Sequence, residues 1–175
     1  MICTNNNTSA LFTDFYELTM AQGYWKENMN QRVVFDMFFF FFPFNGGFSI
    51  LSGNETLMDA LTTFRFSEDD INFLSQQKIF EQGFLDYLKD WKFTGDLYTM
   101  DEGTVIFPQE PLIRIHANLI EAQIIEGLVL NHVNFQSLIA TKTARIWLAS
   151  KKSPIMEFGL RRAQGPDGAM SATRA

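Results

Sequence analysis

The residues best suited to ligand chemistry lie near the carboxyl end of the chain. We predict a buried strand over Ile155 to Gly159, which places the Phe158 ring near the end of that strand and two guanidinium groups, Arg161 and Arg162, just after it. Ligands of α/β proteins bind at the carboxyl ends of parallel strands, and arginine beside a helix N-terminus suits a phosphate group. The pattern indicates an aromatic plate beside a phosphate anchor. An arginine pair after a strand is more commonly a solvated edge or an ion pair, and Phe158 taken alone fits a core residue.

A long helix must position this segment. It is predicted from Asn118, with Glu121 completing a capping box, to about Ser150, and it would span roughly 45 Å. A helix of that length bridges to, or packs against, something larger. Helix followed by strand is also the opening of an α/β unit, and a single unit cannot bury both faces of a parallel strand. We therefore expect the start of an incomplete α/β barrel over residues 118–175, with apolar faces prone to dimerisation or aggregation.

Residues 1–117 are predicted to form an α+β domain. Asp14 and Glu17 have the spacing of a capping box and open a helix that should end near Asn28. A β-branched and aromatic strand follows over Arg32 to Phe42, and residues 54–91 have the periodicity of three short helices. The last elements are strands at Asp96 to Met100, Thr104 to Pro108 and Pro111 to Ala117, which we expect to form a β meander.

Composition excludes several classes of protein. The chain has 175 residues, a net charge of -6 and a pI near 4.9, which argue against a general nucleic-acid binder. The single cysteine, Cys3, excludes an internal disulfide and a cysteine-based zinc site. Neither a signal peptide nor an apolar stretch of about 20 residues is seen, so we expect a soluble cytoplasmic protein.

The ordered motifs of the chain carry a family resemblance. They are Leu11 to Trp25, Pro43-Phe44-Asn45-Gly46-Gly47-Phe48, Glu110 to Arg114, Glu121-Ala122-Gln123, Ser137 to Lys142 and Glu157 to Gly165. Together they resemble the N-terminal portion of nicotinate phosphoribosyltransferases, which have the type II phosphoribosyltransferase architecture. The resemblance covers almost the whole chain.

That resemblance implies an activity. Enzymes of the family make nicotinate mononucleotide from nicotinate and phosphoribosyl pyrophosphate in NAD salvage, with Mg²⁺ screening the leaving group and ATP hydrolysis coupled through a phosphorylated histidine. It also implies that Tyr16, from the partner subunit of a homodimer, and Phe158 sandwich nicotinate. Arg161 would hold the ribose 5-phosphate, with Arg162 a weaker candidate for the same anion. Without the resemblance, Tyr16 fits a half-buried packing residue.

Two features bear on the activity of the chain itself. Neither His116 nor His132 falls where the family places its phosphorylated histidine, which we expect beyond Ala175, so no catalytic residue and no residue for Mg²⁺ or ATP is assigned within the chain. Family members commonly carry Arg-Lys where this chain has Phe40 and Phe41, and those charges would help to neutralise pyrophosphate. We therefore expect an inactive, truncated fragment.

Other readings of the sequence stay open. A quinolinate or nicotinamide phosphoribosyltransferase would share this architecture. A non-enzymatic interaction module, with a carrier-like meander, would need a lysine at an exposed hairpin tip, which Asp101-Glu102-Gly103 does not provide. Arg114 is predicted to be structural, and Lys142 and Arg145 are predicted to decorate a solvated or interface face of the long helix.

Overall fold

A computed structural model describes residues 9–175, so Cys3 lies outside the described residues. The helices are α1 (Phe15–Lys26), α2 (Asn54–Thr63), α3 (Glu68–Gln76), α4 (Gln82–Lys89), α5 (Leu119–Ile124), α6 (Glu126–Ala149) and α7 (Gly165–Arg174). The strands are β1 (Arg32–Met37), β2 (Ser49–Ile50), β3 (Asp96–Thr99), β4 (Val105–Ile106) and β5 (Ile113–Asn118), and short 3-10 turns cover Pro43–Asn45 and Leu160–Arg162. The chain is therefore α+β with small sheets.

Local signals placed several helices correctly. The predicted capping box at the start of α1 is formed, because Asp14 accepts from the third helical residue and Glu17 reaches back to the Asp14 amide. A second box joins Ser67 and Asp70 at the start of α3. The three short helices expected over residues 54–91 are also confirmed as α2, α3 and α4.

The sheets differ from the predicted meander. β5 lies between β1 and β3 in an antiparallel three-stranded sheet, whereas β4 leaves this sheet and pairs with β2. The pairing of β2 with β4 continues into the following residues, since the Leu51 amide donates to the Thr104 carbonyl at 3.0 Å. In a meander, β4 would pair with β3 and β5, its neighbours in sequence. The prediction of a meander was therefore wrong. The short turns indicated where strands end but not which strand each one meets.

The first strand is shorter than predicted, and Phe38 to Phe42 lie outside it. Its last paired residue is Met37, opposite Ile113 at the start of β5. Pro111 precedes β5 and has no amide hydrogen to extend the ladder. The chain beyond Met37 therefore leaves the sheet as a loop, although the Phe39 carbonyl still accepts from Gln109 at 2.8 Å.

The predicted long helix is interrupted once. α5 ends at Ile124 and α6 begins at Glu126, with Ile125 between them. The capping box expected from Asn118 and Glu121 is not formed, since the Asn118 side chain caps no helix amide. The buried Glu121 carboxylate accepts from the Asn118 side-chain amide at 3.0 Å and from the backbone amide and hydroxyl of Thr94, at 2.7 and 2.9 Å. Glu121 thus ties the start of α5 to the chain before β3.

One apolar core joins the helices and the larger sheet. Its fully buried members include Leu18 of α1, Phe84 of α4, Ile106 of β4, Ile113 of β5 and Leu128 of α6, together with Leu51, which follows β2, and Phe64, which follows α2. In the part of the chain that the structure describes, no helix is long and apolar enough to cross a membrane.

Candidate functional site

Tyr16 lies on the exposed side of α1. Its side chain is 51% exposed, whereas the preceding Phe15 packs edge-on against Phe80 with ring centroids 5.7 Å apart. The negative charge of Glu126 raises the pKa of the Tyr16 hydroxyl, because it opposes a second negative charge nearby. The tyrosine therefore presents a protonated hydroxyl and a solvent-accessible ring at the start of α1.

A buried carboxylate fixes the start of α1 beneath Tyr16. Glu17 is buried and accepts from the Thr13 hydroxyl and, at 3.0 Å, from the Asp14 amide. Thr13 also donates to the carbonyl of Ile124 at 3.1 Å, and Gly127 lies against the Glu17 carboxylate, where a Cβ would come within 3.5 Å. Burial raises the pKa of Glu17. These contacts lock α1 to the junction of α5 and α6.

The segment around Phe158 is a loop rather than the predicted strand. Residues 153–159 form no strand, and Phe158 is 67% exposed. A strand needs neighbouring strands to pair with, and none of the five strands in residues 9–175 lies beside this segment. The buried strand over Ile155 to Gly159 was therefore a wrong prediction for this chain.

The two arginines follow this loop directly. Arg161 and Arg162 lie in the 3-10 turn, both exposed, and the Arg161 Nη1 donates to the Phe158 carbonyl at 3.4 Å. α7 begins three residues after Arg162, at Gly165. The predicted order of ring, guanidinium groups and helix N-terminus is present, without the strand that was expected to hold it.

The structure does not bring all the predicted site residues together. Among residues 9–175, no hydrogen bond, ion pair or ring contact joins Tyr16 to Phe158, Arg161 or Arg162. Nor do three His, Cys, Asp or Glu side chains converge within the described chain in a way that could hold a metal ion. No residue is assigned to Mg²⁺, and no step is assigned to that ion.

Arg114, His116 and His132 each contact neighbouring residues of the fold. Arg114 forms a two-pronged ion pair with Asp36 across the sheet, at 2.7 and 2.9 Å, as a structural residue would. His116 packs on Tyr98 with centroids 5.2 Å apart. His132 bonds the Leu128 carbonyl at 3.0 Å, and burial lowers its pKa.

A polar stripe on α6 was missed in the sequence. Ser137, Thr141 and Arg145 recur every four residues, so they share one face of the helix. We call them the α6 stripe. Each one bonds the backbone of the segment 44–52: Ser137 Oγ accepts from the Ser52 amide at 3.0 Å and donates to its carbonyl at 3.1 Å, and Thr141 Oγ1 accepts from the Ile50 amide at 2.9 Å.

The last member of the stripe holds the loop at Pro43–Asn45. Arg145 Nη1 donates to the Phe44 carbonyl at 3.1 Å, and the guanidinium lies 5.6 Å from the centre of the Phe44 ring. Phe44 and Asn45 have φ values of 58° and 50°, a left-handed conformation that costs non-glycine residues free energy. Arg145 thus packs half-buried against a strained loop of its own chain, which differs from the solvated or interface position predicted for it, whereas Lys142 is exposed. The spacing of polar residues by four within an apolar helix was the signal available in the sequence.

Comparison with known proteins matches this chain to one family. The model of the nicotinate phosphoribosyltransferase N-terminal domain matches residues 11–134. The chain is 42% identical over 168 residues to nicotinate phosphoribosyltransferase pncB2 of Mycobacterium tuberculosis, covering 96% of this chain and 36% of that protein. It is 43% identical to the nicotinate phosphoribosyltransferase of Dictyostelium discoideum, covering 97% of this chain and 30% of that one.

The fold agrees with solved structures of related proteins. The human nicotinic acid phosphoribosyltransferase superposes with a TM-score of 0.83 at 33% identity, over 91% of this chain and 33% of the human chain. A nicotinate-nucleotide pyrophosphorylase from Pyrococcus furiosus gives a TM-score of 0.66 at 25% identity, over 90% of this chain and 33% of that one. The chain thus spans about a third of the length of these relatives. With a match that takes in α1, both sheets and the start of α6, the chain belongs to the nicotinate phosphoribosyltransferase family, of which it represents the N-terminal portion.

Proposed function

We propose that this chain provides the N-terminal portion of an enzyme that forms nicotinate mononucleotide from nicotinate and phosphoribosyl pyrophosphate, with ATP hydrolysis, in cytoplasmic NAD salvage. The family match over residues 11–134 carries this proposal. The relatives that match nearly the whole chain are nicotinate phosphoribosyltransferases by name. Nicotinate is therefore favoured over quinolinate and nicotinamide as the ring substrate.

Two exposed rings are the proposed nicotinate contacts. Tyr16 and Phe158 are both more than half exposed, and neither contacts the other within one chain. To stack on both faces of a pyridine ring, the two aromatic side chains must lie on opposite sides of that ring. A homodimer, in which Tyr16 of one subunit faces Phe158 of the other, would supply that arrangement.

Arg161 is the proposed anchor for the ribose 5-phosphate, with Arg162 beside it. In the described chain neither guanidinium lies within ion-pair distance of a carboxylate, so both are available to an anion. Arginine binds phosphate through two parallel N–H bonds, and the N-terminus of α7 follows within a few residues. These features favour a phosphate over a neutral ligand.

One part of the proposed reaction lies outside this chain's own residues. The phosphorylated histidine that couples ATP is expected after Ala175, and no residue of this chain is assigned to Mg²⁺. We also propose that residues 118–175 are the start of an α/β barrel, following a domain over residues 1–117. In that barrel, Ile155 to Gly159 would gain the strand neighbours they lack here.

Binding of radiolabelled nicotinate to the purified chain tests the ring contacts. We expect saturable binding that unlabelled nicotinate displaces better than quinolinate or nicotinamide. Tyr16→Ala and Phe158→Ala should each abolish it, whereas Tyr98→Ala, which removes a tyrosine of similar exposure from the sheet, should not. Tighter binding of quinolinate or nicotinamide would overturn the choice of substrate. Since the proposed coupling histidine is not among its residues, we expect no nicotinate mononucleotide from the 175-residue chain alone.

A further inference from the structure

The outer edge of β1 offers unpaired backbone groups. β1 lies at one side of the three-stranded sheet, and within residues 9–175 only β5 lies beside it. The Gln31 and Met37 carbonyls accept from amides that flank β5, at 3.0 and 2.8 Å. Because hydrogen bonding alternates along an antiparallel ladder, the odd-numbered residues of β1 bond toward β5. The backbone groups that point to the free edge therefore belong to Arg32, Val34 and Asp36.

This edge is accessible to another chain. Val34, at the middle of the strand, is 54% exposed. A groove of about 380 Å³ lies beside it, with Val34 and Phe35 on one side and Val129 and Leu130 of α6 on the other. An extended segment that approaches β1 would therefore find both backbone partners and an apolar wall.

The charges along β1 are complementary to those of a second copy. Arg32 and Asp36 lie two residues to either side of Val34, on the exposed face of the strand. Charged side chains usually keep edge strands apart, because like charges would meet. Here the two charges are opposite and symmetric about Val34, so an antiparallel copy of β1 would place each charge opposite its counterion. Such self-complementarity is what a two-fold interface requires.

We propose that the free edge of β1 binds β1 of a second copy of this chain, antiparallel and with the two Val34 residues opposite each other. Arg32 of each copy then faces Asp36 of the other, and the two three-stranded sheets join through about six backbone hydrogen bonds. A shift of two residues would place Val34 opposite a charge, and a shift of one would misalign the backbone groups. Only the register centred on Val34 satisfies both. This interface does not depend on the proposed transferase activity.

Charge reversal tests the proposed register. Arg32→Asp and Asp36→Arg each place like charges opposite one another twice, so either variant alone should dimerise about tenfold more weakly than the original chain in a light-scattering concentration series. In an equimolar mixture of the two variants every reversed charge meets its opposite, so the mixture should recover the original affinity. The control variants Asp86→Lys and Lys89→Asp disturb an exposed ion pair on α4 in the same way and should leave dimerisation unchanged, alone or mixed.

A cross-link tests the pairing without changing a charge. Val34→Cys in a chain that also carries Cys3→Ser leaves one thiol per copy. The two cysteines would lie opposite each other with Cα atoms about 5.5 Å apart, a separation that a disulfide spans. Mild oxidation should therefore give a covalent dimer. Tyr98→Cys in the same background, at a similarly exposed position on β3, should stay monomeric.

Several outcomes would overturn the proposal. It is wrong if the original chain is monomeric, or if the mixture of charge variants associates no more tightly than its components. It is also wrong if each charge variant alone associates as tightly as the original chain, in which case the exposed Phe40 and Phe41 hold the copies together. Equal cross-linking through Val34→Cys and Tyr98→Cys would likewise exclude a specific pairing at β1.

Discussion

Arg145 and Phe44, 101 residues apart in sequence, are joined by a 3.1 Å hydrogen bond from the guanidinium to the carbonyl and by the guanidinium over the aromatic ring. The loop backbone accommodates this contact closely, since a Cβ at Gly46 would lie 2.7 Å from Arg145 Nη1. A side chain at position 46 would therefore displace the Arg145 guanidinium from its present position. The loop and the distal part of α6 behave as one packed unit.

The Arg145 contact should stabilise the left-handed conformation of the loop. Arg145→Met keeps much of the aliphatic stem but removes the hydrogen bond and the cation–π contact, and we expect a loss of about 1–3 kcal/mol in the free energy of unfolding. The Gly46 amide, which donates to the Pro43 carbonyl, should exchange faster with solvent. Lys142→Met, on the exposed side of the same helix, is the control and should change stability by less than about 0.5 kcal/mol. Unchanged exchange at Gly46 in the Arg145 variant would contradict this role.

Thr141 satisfies the backbone of β2 from within the core. Its side chain is fully buried, and its hydroxyl accepts from the Ile50 amide. Thr141→Val preserves the shape but leaves that amide unpaired, so we expect a loss of about 1–3 kcal/mol. Urea unfolding should show a lower midpoint at an unchanged slope. Thr143→Val, two residues away and only half-buried, should be close to neutral, and an equal loss there would count against the specific bond.

His132 should make the stability of the chain depend on pH. Burial lowers its pKa in the folded state below the value of about 6.5 expected for the unfolded chain. The unfolded state then binds the proton more readily, so the contribution to stability is complete above about pH 6.5 and is lost as the pH falls through the lower folded-state pKa. The free energy of unfolding, measured by urea titration between pH 7.5 and 5, should fall less steeply in His132→Gln. An unchanged slope in His132→Gln would contradict this role.

The exposed phenylalanines should promote self-association. Phe40 and Phe41 are 68% and 85% exposed, and an apolar patch of this kind favours contacts between molecules. The double variant Phe40→Arg/Phe41→Lys should raise the monomer fraction measured by light scattering. It should also bind pyrophosphate more tightly than the original chain in calorimetric titration, because it adds two positive charges. Phe12→Arg/Phe73→Lys adds the same charges at other exposed phenylalanines, and an equal gain in pyrophosphate affinity there would show that the position does not matter.

The sequence alone determined the elements whose signals are local. The Asp14 and Glu17 box, the Ser67 and Asp70 box and the apolar periodicity of residues 54–91 each involve residues within a few positions of one another. Their side chains meet as soon as one helical turn forms, so spacing is enough to predict them. The family motifs were likewise visible in order along the chain, and the match over residues 11–134, with relatives aligned over nearly the whole chain, confirmed the family.

Tertiary structure decided what depends on distant partners. Glu121 was predicted to cap its own helix but bonds Thr94, and β4 was predicted to lie in a meander but pairs with β2. Ile155 to Gly159 have the composition of a strand but no neighbouring strand. In each case the outcome depends on whether a group far away in sequence supplies a hydrogen-bond partner, and only the packed chain determines that. The α6 stripe could not be predicted for the same reason. The type and spacing of Ser137, Thr141 and Arg145 are visible in the sequence, but the backbone groups that they bind belong to the distant residues 44–52.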